Sequence, residues 1–168
     1  GLETKTLPCR IDEIKQLAPD VLGIILRTPP GQSLQYRAGQ HISVIGKGGV
    51  RRSYSLANAP RQDGKLELHV RQVADGEMSR YWFEEAGKDD LLRLEGPFGT
   101  FCSRPAPRKQ PVFLATGTGI APIKAMLEEL GGKDSDHGAG AARVYWGNRY
   151  SQDLYWQPEN THSGVVFF

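Results

Sequence analysis

The 168-residue chain is long enough for one large domain or two small ones, and its 39% hydrophobic and 24% charged residues are those of an ordinary globular protein. A net charge of +2 gives no general electrostatic case for binding nucleic acid or a membrane, and no apolar run reaches bilayer length. The opening Gly1-Leu2-Glu3-Thr4-Lys5 lacks the apolar stretch of a secretory signal, which favours the cytoplasm.

Residues 21–26 form a short apolar run before Pro29-Pro30-Gly31 and read as a strand. Residues 41–45 alternate and end at the glycine cluster 46–49. Residues 65–71 have period two, with Leu66, Leu68 and Val70 on one face. Residues 91–95 are a further strand, expected to stop at Gly96-Pro97. Between them, 78–86 has helical composition, with Asp75-Gly76 at its start. This part reads as an antiparallel six-stranded barrel with one inserted helix. The proline-rich, basic stretch 104–109 is a connector and separates a domain over 1–104 from one over 109–168. After it, 112–115 is a continuous apolar strand, 120–130 a helix with Pro122 in its first turn, and 142–146 a second strand; 165–168 begins a third. Strand–helix–strand order predicts a parallel, Rossmann-like sheet, incomplete at Phe168. Residues 131–140 read as a polar, glycine-rich loop, whose Asp134, Asp136 and His137 suit solvent better than a metal.

The two cysteines, Cys9 and Cys102, are too few for the four thiolates of an iron–sulfur cluster. They fit buried small hydrophobes, or a disulfide. His41, His69, His137 and His162 show no metal-ligand spacing, so no metal site is expected.

Two segments carry chemistry. In Arg52-Ser53-Tyr54-Ser55, an arginine fork suits a pyrophosphate and a tyrosine ring can lie on a flat heteroaromatic ring. On a strand, Arg52 and Tyr54 share a face, whereas Ser55 needs a twist to join them. A basic, half-exposed edge strand fits the same residues. Gly76-Glu77-Met78-Ser79 adds a helix start whose N–H groups and serine hydroxyl suit an anion; an ordinary helix cap also fits. Gly117-Thr118-Gly119 lies between a strand and a helix, where glycines permit a sharp turn and close ligand approach. Pro122 stands where a full dinucleotide fingerprint has its third glycine, and the lysine of a P-loop is missing. Gly147-Asn148-Arg149 ends the next strand, at the same carboxyl edge where open parallel sheets bind ligands. Together the two segments suggest a flavin and a nicotinamide nucleotide meeting in a cleft.

In this order, Arg52-Ser53-Tyr54-Ser55, Gly76-Glu77-Met78-Ser79, Gly96-Pro97-Phe98-Gly99, Gly117-Thr118-Gly119-Ile120-Ala121-Pro122 and Tyr145-Trp146-Gly147-Asn148-Arg149 resemble the ferredoxin–NADP reductase superfamily. Within it, residues 5–10 and 145–149 are most similar to the CDP-6-deoxy-3,4-glucoseen reductases, with the reductase components of bacterial oxygenases close by. The resemblance implies FAD in the barrel and NAD(P)H, with NADH favoured, on the second domain. By the family pattern Arg52 binds the FAD pyrophosphate, Tyr54 packs on the isoalloxazine, and Ser55 hydrogen-bonds near the hydride-accepting flavin N5, the catalytic role. Ser53 lies in the same motif. The backbone around His69, Val70 and Arg71 holds the FAD, with Gly76, Glu77, Met78 and Ser79 at its phosphates. Gly117, Thr118, Gly119 and Pro122 bind the nicotinamide nucleotide, Gly147 and Asn148 are further cofactor-binding residues, and Arg149 approaches its adenosine end. The resemblance also implies a [2Fe–2S] ferredoxin-like domain before Gly1, a downstream acceptor enzyme, and a nucleotide domain that continues beyond Phe168 to a Cys-Gly-x-Pro loop. On that expectation the fragment has impaired turnover, and the alternative to a reductase is a flavin-binding or docking module without dinucleotide turnover.

Overall fold

The computed structural model describes residues 1–104, 109–131 and 142–158, and the backbone of 164–167. Of the loop read over 131–140, Gly131 is the last residue of a helix, and 132–140, with Asp134, Asp136 and His137, lies outside the described residues, as do 105–108 of the connector, His162 and Phe168.

Six strands make the first sheet: β1 Lys5–Ala18, β2 Val21–Arg27, β3 His41–Ile45, β4 Arg51–Ser55, β5 Lys65–Arg71 and β6 Leu91–Phe98. They run in the order β4-β3-β6-β1-β2-β5, and every neighbour is antiparallel. β1 is a strand that the sequence reading did not place. Its Leu7, Cys9 and Ile11 are buried at alternate positions, as period-two side chains on one face must be. Pro8 is tolerated because it pairs only with Arg93 of β6, and the pairing of β1 with β2 starts later, at Arg10.

β6 continues past Gly96-Pro97 to Phe98, where the sequence pattern predicts a stop. The register against β3 shifts between His41 and Ser43, so the proline sits at a break in the ladder, where a missing N–H costs little. Gly96 is needed there for a different reason: a Cβ would lie 2.8 Å from Ile42 Cγ2.

Among the described residues the terminal strands β4 and β5 share no ladder; one bridge, Leu56 to Leu68, joins the residue just past β4 to β5, supported by the Ala57 N–H donating to the Glu67 carbonyl at 2.8 Å. Ile11, Ile24, Leu26, Ile42, Val44, Leu56, Leu68, Leu94 and Trp82 fill the interior. The inserted helical segment is α1 Glu77–Arg80 followed by a π turn, Tyr81–Glu85; Met78 and Trp82, four residues apart, turn inward.

The second sheet is parallel, in the order β7-β8-β9, from Val112–Thr116, Arg143–Gly147 and Gly164–Phe167. Helix α2, Ile120–Gly131, connects β7 to β8 and packs Ile120 and Ile123 on Val144 and Trp146. Of its further buried residues, Ala125 and Met126 pack on Ala38 at the barrel. No helix among the described residues is long and apolar enough to cross a membrane. Cys9 is buried, which pushes its thiol up to about 12; Cys102 is half-buried, and neither is in a disulfide.

Candidate functional site

The barrel is closed at one end of the β4–β5 seam and open at the other. Past Leu68, the edge of β5 at His69, Val70 and Arg71 has β2 on one side and no strand partner on the other among the described residues. The facing edge is β4. These unpaired backbone groups require hydrogen-bonding partners, which makes the seam a natural place for an extended polar ligand.

Along β4, Arg52 and Tyr54 stand opposite Val44 and Ile42 of β3. Cross-strand partners share a face, so both lie on the side of the sheet that carries the buried Ile42 and Val44, and Tyr54 packs against that core. Arg52 is exposed and, among the described residues, its Nη1 donates to the neighbouring Arg51 carbonyl at 2.7 Å, which leaves most of the fork available. Arg51 instead pairs with Glu95. Tyr54 is held: Trp82 Nε1 donates to its hydroxyl at 3.0 Å, and the two rings meet edge to face at 6.2 Å. Burial raises the Tyr54 pKa, with the Trp82 hydrogen bond working against it, so the phenol stays neutral. Ser53 is exposed and Ser55 half-buried; they pair with Ser43 and His41.

A cavity of about 450 Å³ lies beside the helix start, lined by residues 72–76, Ser79 and Arg80, with Asp20 and Glu84. Asp75 adopts φ +59 in the turn leading to Gly76 and Glu77. The Ser79 hydroxyl accepts from the Val73 N–H at 2.8 Å and keeps its own proton to donate. Glu77 and Met78 do not line this cavity, and Met78 is a core side chain. The Val70 side chain is likewise buried in the barrel.

The glycine turn adjoins the open seam. Gly117 has φ +53, and a Cβ there would lie 3.1 Å from Arg71 Nη2, so the guanidinium of β5 rests on the turn. The Gly117 carbonyl is fixed by Trp146 Nε1 at 2.8 Å. Thr118 is half-buried, and Pro122 is buried in the first turn of α2. Around Gly119 a Cβ would meet nothing within 4 Å, which leaves room for a ligand against the backbone. At the end of β8, Gly147 packs loosely on Thr116, and Arg149 is exposed. Among the described residues, Asn148 Nδ2 is buried without a hydrogen-bond partner, as is one carboxylate oxygen of Asp20. An orphan amide donor beside the glycine turn and an orphan acceptor beside the cavity suit the phosphate oxygens and sugar hydroxyls of dinucleotides. The residues present therefore fit FAD at the seam and a nicotinamide nucleotide at the turn.

The histidine of β5 has another role. His69 Nε2 lies 3.1 Å from Glu67 Oε1, and Nδ1 lies 2.9 Å from the Tyr155 hydroxyl. Its ring is taken up inside the protein, and only its backbone borders the seam. Trp82, Arg80, Glu67, Lys124 and Tyr155 are residues that the motif reading missed. Trp82 was detectable as the buried partner of Met78 at helical spacing; Arg80 was detectable as the basic neighbour of Ser79. For Glu67, Lys124 and Tyr155 no local signal exists, since their contacts join β5 to residues of the second part of the chain, Lys124 on α2 and Tyr155 outside both sheets.

Residues 8–102 match the oxidoreductase FAD-binding domain family, and residues 113–163 match the oxidoreductase NAD-binding domain family. Among curated proteins, the chain is 44% identical over 154 residues to the CDP-6-deoxy-L-threo-D-glycero-4-hexulose-3-dehydrase reductase of Yersinia pestis, covering 92% of this chain and 45% of that protein. It is 35% identical over 138 residues to the terephthalate 1,2-dioxygenase reductase component 1 of a Comamonas species, covering 82% of this chain and 40% of that protein. Among solved structures, an Amycolatopsis cytochrome P450 reductase superposes with a TM-score of 0.82 at 29% identity, over 92% of this chain and 46% of that one. The chain thus spans a little under half the length of these relatives. By its FAD-binding match, its NAD-binding match and the fold that carries them, the chain belongs to the oxidoreductase FAD-binding domain family, within the ferredoxin–NADP reductase superfamily.

Proposed function

We propose that the chain is the flavin-binding part, and the first section of the nucleotide-binding part, of an NAD(P)H-dependent reductase resembling the CDP-6-deoxy-hexulose-3-dehydrase reductases. The two parts are assigned to 1–104 and 109–168. NADH is the favoured donor, a [2Fe–2S] ferredoxin-like domain and then an acceptor enzyme are the electron-accepting partners, and the setting is cytoplasmic. When bound, FAD supplies an acceptor for hydride that can release its electrons singly. The chain's own residues do the rest. Arg52 binds the pyrophosphate, assisted by the backbone from Gly76 to Ser79 and by the Ser79 hydroxyl. Tyr54, fixed by Trp82, supports the ring system. Ser55 holds a hydrogen bond at the ring edge that receives hydride. The open edge of β5 at His69, Val70 and Arg71 offers backbone groups to the flavin. Gly117, Thr118, Gly119 and Pro122 cradle the nicotinamide nucleotide, and Gly147, Asn148 and Arg149 take its adenosine end.

One observation supports this reading above the others: Arg71, on the open flavin edge, rests on Gly117 of the nucleotide turn. The two candidate sites are therefore contiguous, as hydride transfer requires. Absorption spectra of the chain mixed with FAD, before and after anaerobic NADH, test it. Flavin bands that stay with the protein through gel filtration and bleach with NADH are expected. Retained bands that never bleach identify a docking module without turnover; loss of the flavin on the column removes the whole assignment.

A further inference from the structure

A chain of polar side chains runs across the boundary between the barrel and α2. Lys124, in the second turn of α2, is only 13% exposed and donates three hydrogen bonds: to Glu67 Oε2 at 2.7 Å, to Glu128 Oε1 at 2.7 Å, and to the Ala57 carbonyl at 3.0 Å. An ammonium has three protons, so all are placed. The other oxygen of Glu128 accepts from the Ala59 N–H at 3.0 Å. The other oxygen of Glu67 meets His69 Nε2, and His69 Nδ1 meets Tyr155. An ionised carboxylate only accepts, so Nε2 carries a proton and, in the neutral ring, Nδ1 accepts from the Tyr155 hydroxyl. Glu67 and His69 belong to β5; Lys124, Glu128 and Tyr155 belong to the second part of the chain.

The location of this chain of contacts gives it a use. Glu67 and His69 lead directly into the open edge of β5. Gly117–Gly119 leads directly into Ile120, the first residue of α2, so a helix fixed at Lys124 fixes the turn. We propose that Lys124 and Glu67 are positioning residues: they hold the Gly117–Gly119 turn at a set distance from the open flavin edge of β5. This rests on the reductase reading for its purpose, though not for its geometry. A clamp of this kind acts on the reacting distance more than on the affinity for either ligand, and misplacement of about 1 Å can slow such a step ~100-fold.

The test compares the parent chain with Lys124→Met, Glu67→Gln and Lys124→Arg. In the FAD-free protein, amide hydrogen exchange over 117–123 and at Ala59 should speed by about tenfold or more in the first two variants, with exchange in β2 unchanged. In the FAD-loaded protein, the limiting rate of flavin reduction by NADH should fall by about tenfold or more. Half-saturating NADH should move less than about threefold, and FAD affinity and reduction by dithionite should not move; Lys124→Arg should recover most of the rate. Unchanged exchange overturns the clamp, and so does a limiting rate within about twofold of the parent. If NADH fails to reduce even the parent, the reductase reading fails, and the exchange measurement still decides the clamp.

Discussion

Replacing Gly119 by alanine isolates the nucleotide turn from the stability of the protein. A Cβ at Gly119 meets no protein atom within 4 Å, and its φ lies outside the left-handed region. The folded chain should therefore accept alanine at no cost, or gain about 0.5 kcal/mol through a stiffer unfolded chain. A dinucleotide lying against this backbone cannot accept it as freely. Overpacking by one methyl costs roughly 1–3 kcal/mol. A middle value of about 2 kcal/mol is ~30-fold in dissociation constant. Gly117→Ala behaves in the opposite way: at φ +53 a side chain costs about 1–2 kcal/mol, and the new Cβ also presses on Arg71. Urea unfolding without ligand should then rank Gly119→Ala at or above the parent and Gly117→Ala below it. Titration of the FAD-loaded chain with NAD⁺, which cannot reduce the flavin, reads affinity. A Gly119→Ala protein of parental stability that binds NAD⁺ as tightly as the parent would refute the placement of the nucleotide on this turn.

Arg52→Ala should weaken FAD binding by about 2 kcal/mol, the scale of a charge-assisted hydrogen bond, while leaving urea stability within about 0.5 kcal/mol, because among the described residues the exposed side chain bonds just to the Arg51 carbonyl; calorimetric titrations with FAD and with FMN check the affinity and the selectivity, and unchanged FAD affinity in the variant would remove the role given to Arg52. Burial alone would raise the Glu67 carboxyl, but hydrogen bonds from His69 and Lys124 outweigh it and hold it at about 2. Since the folded value lies below the unfolded one, this stabilisation is present above about pH 4.5 and is lost as pH falls through about 2, some 3 kcal/mol in all. Urea midpoints between those limits should show that loss in the parent and a shallower slope in Glu67→Gln; equal slopes would count against it. Gly39→Ala should cost about 3 kcal/mol or more, since at φ +102 its Cβ would lie 1.8 Å from the Phe101 carbonyl oxygen and 2.4 Å from Met126 Cε; a thermal midpoint near the parent's would mean that the barrel and α2 can shift apart there.

The features that were legible in the sequence are those fixed by local backbone geometry. Period-two apolar positions mark β3 and β5, and Asp75-Gly76 and Gly117-Thr118-Gly119 mark turns whose φ values of +59 at Asp75 and +53 at Gly117 leave the ordinary regions. β1 was hidden by Pro8, whose compatibility depends on where its second neighbour begins to pair, and that is a property of the sheet. The same is true of Gly96-Pro97, a strand stop in isolation and a strand interior once the β3 register slips beside it. The Lys124–Glu67 contact joins residues 57 apart, and each is unremarkable in its own segment, a charged residue on a helix and a charged residue on a strand. A motif can specify where a ligand touches the chain, because the touching groups are adjacent in sequence. The distance between two ligands held on different sheets is set by packing between those sheets. In this chain, that distance depends on Ala38 against Met126, on Arg71 against Gly117, and on a buried ammonium shared between two carboxylates.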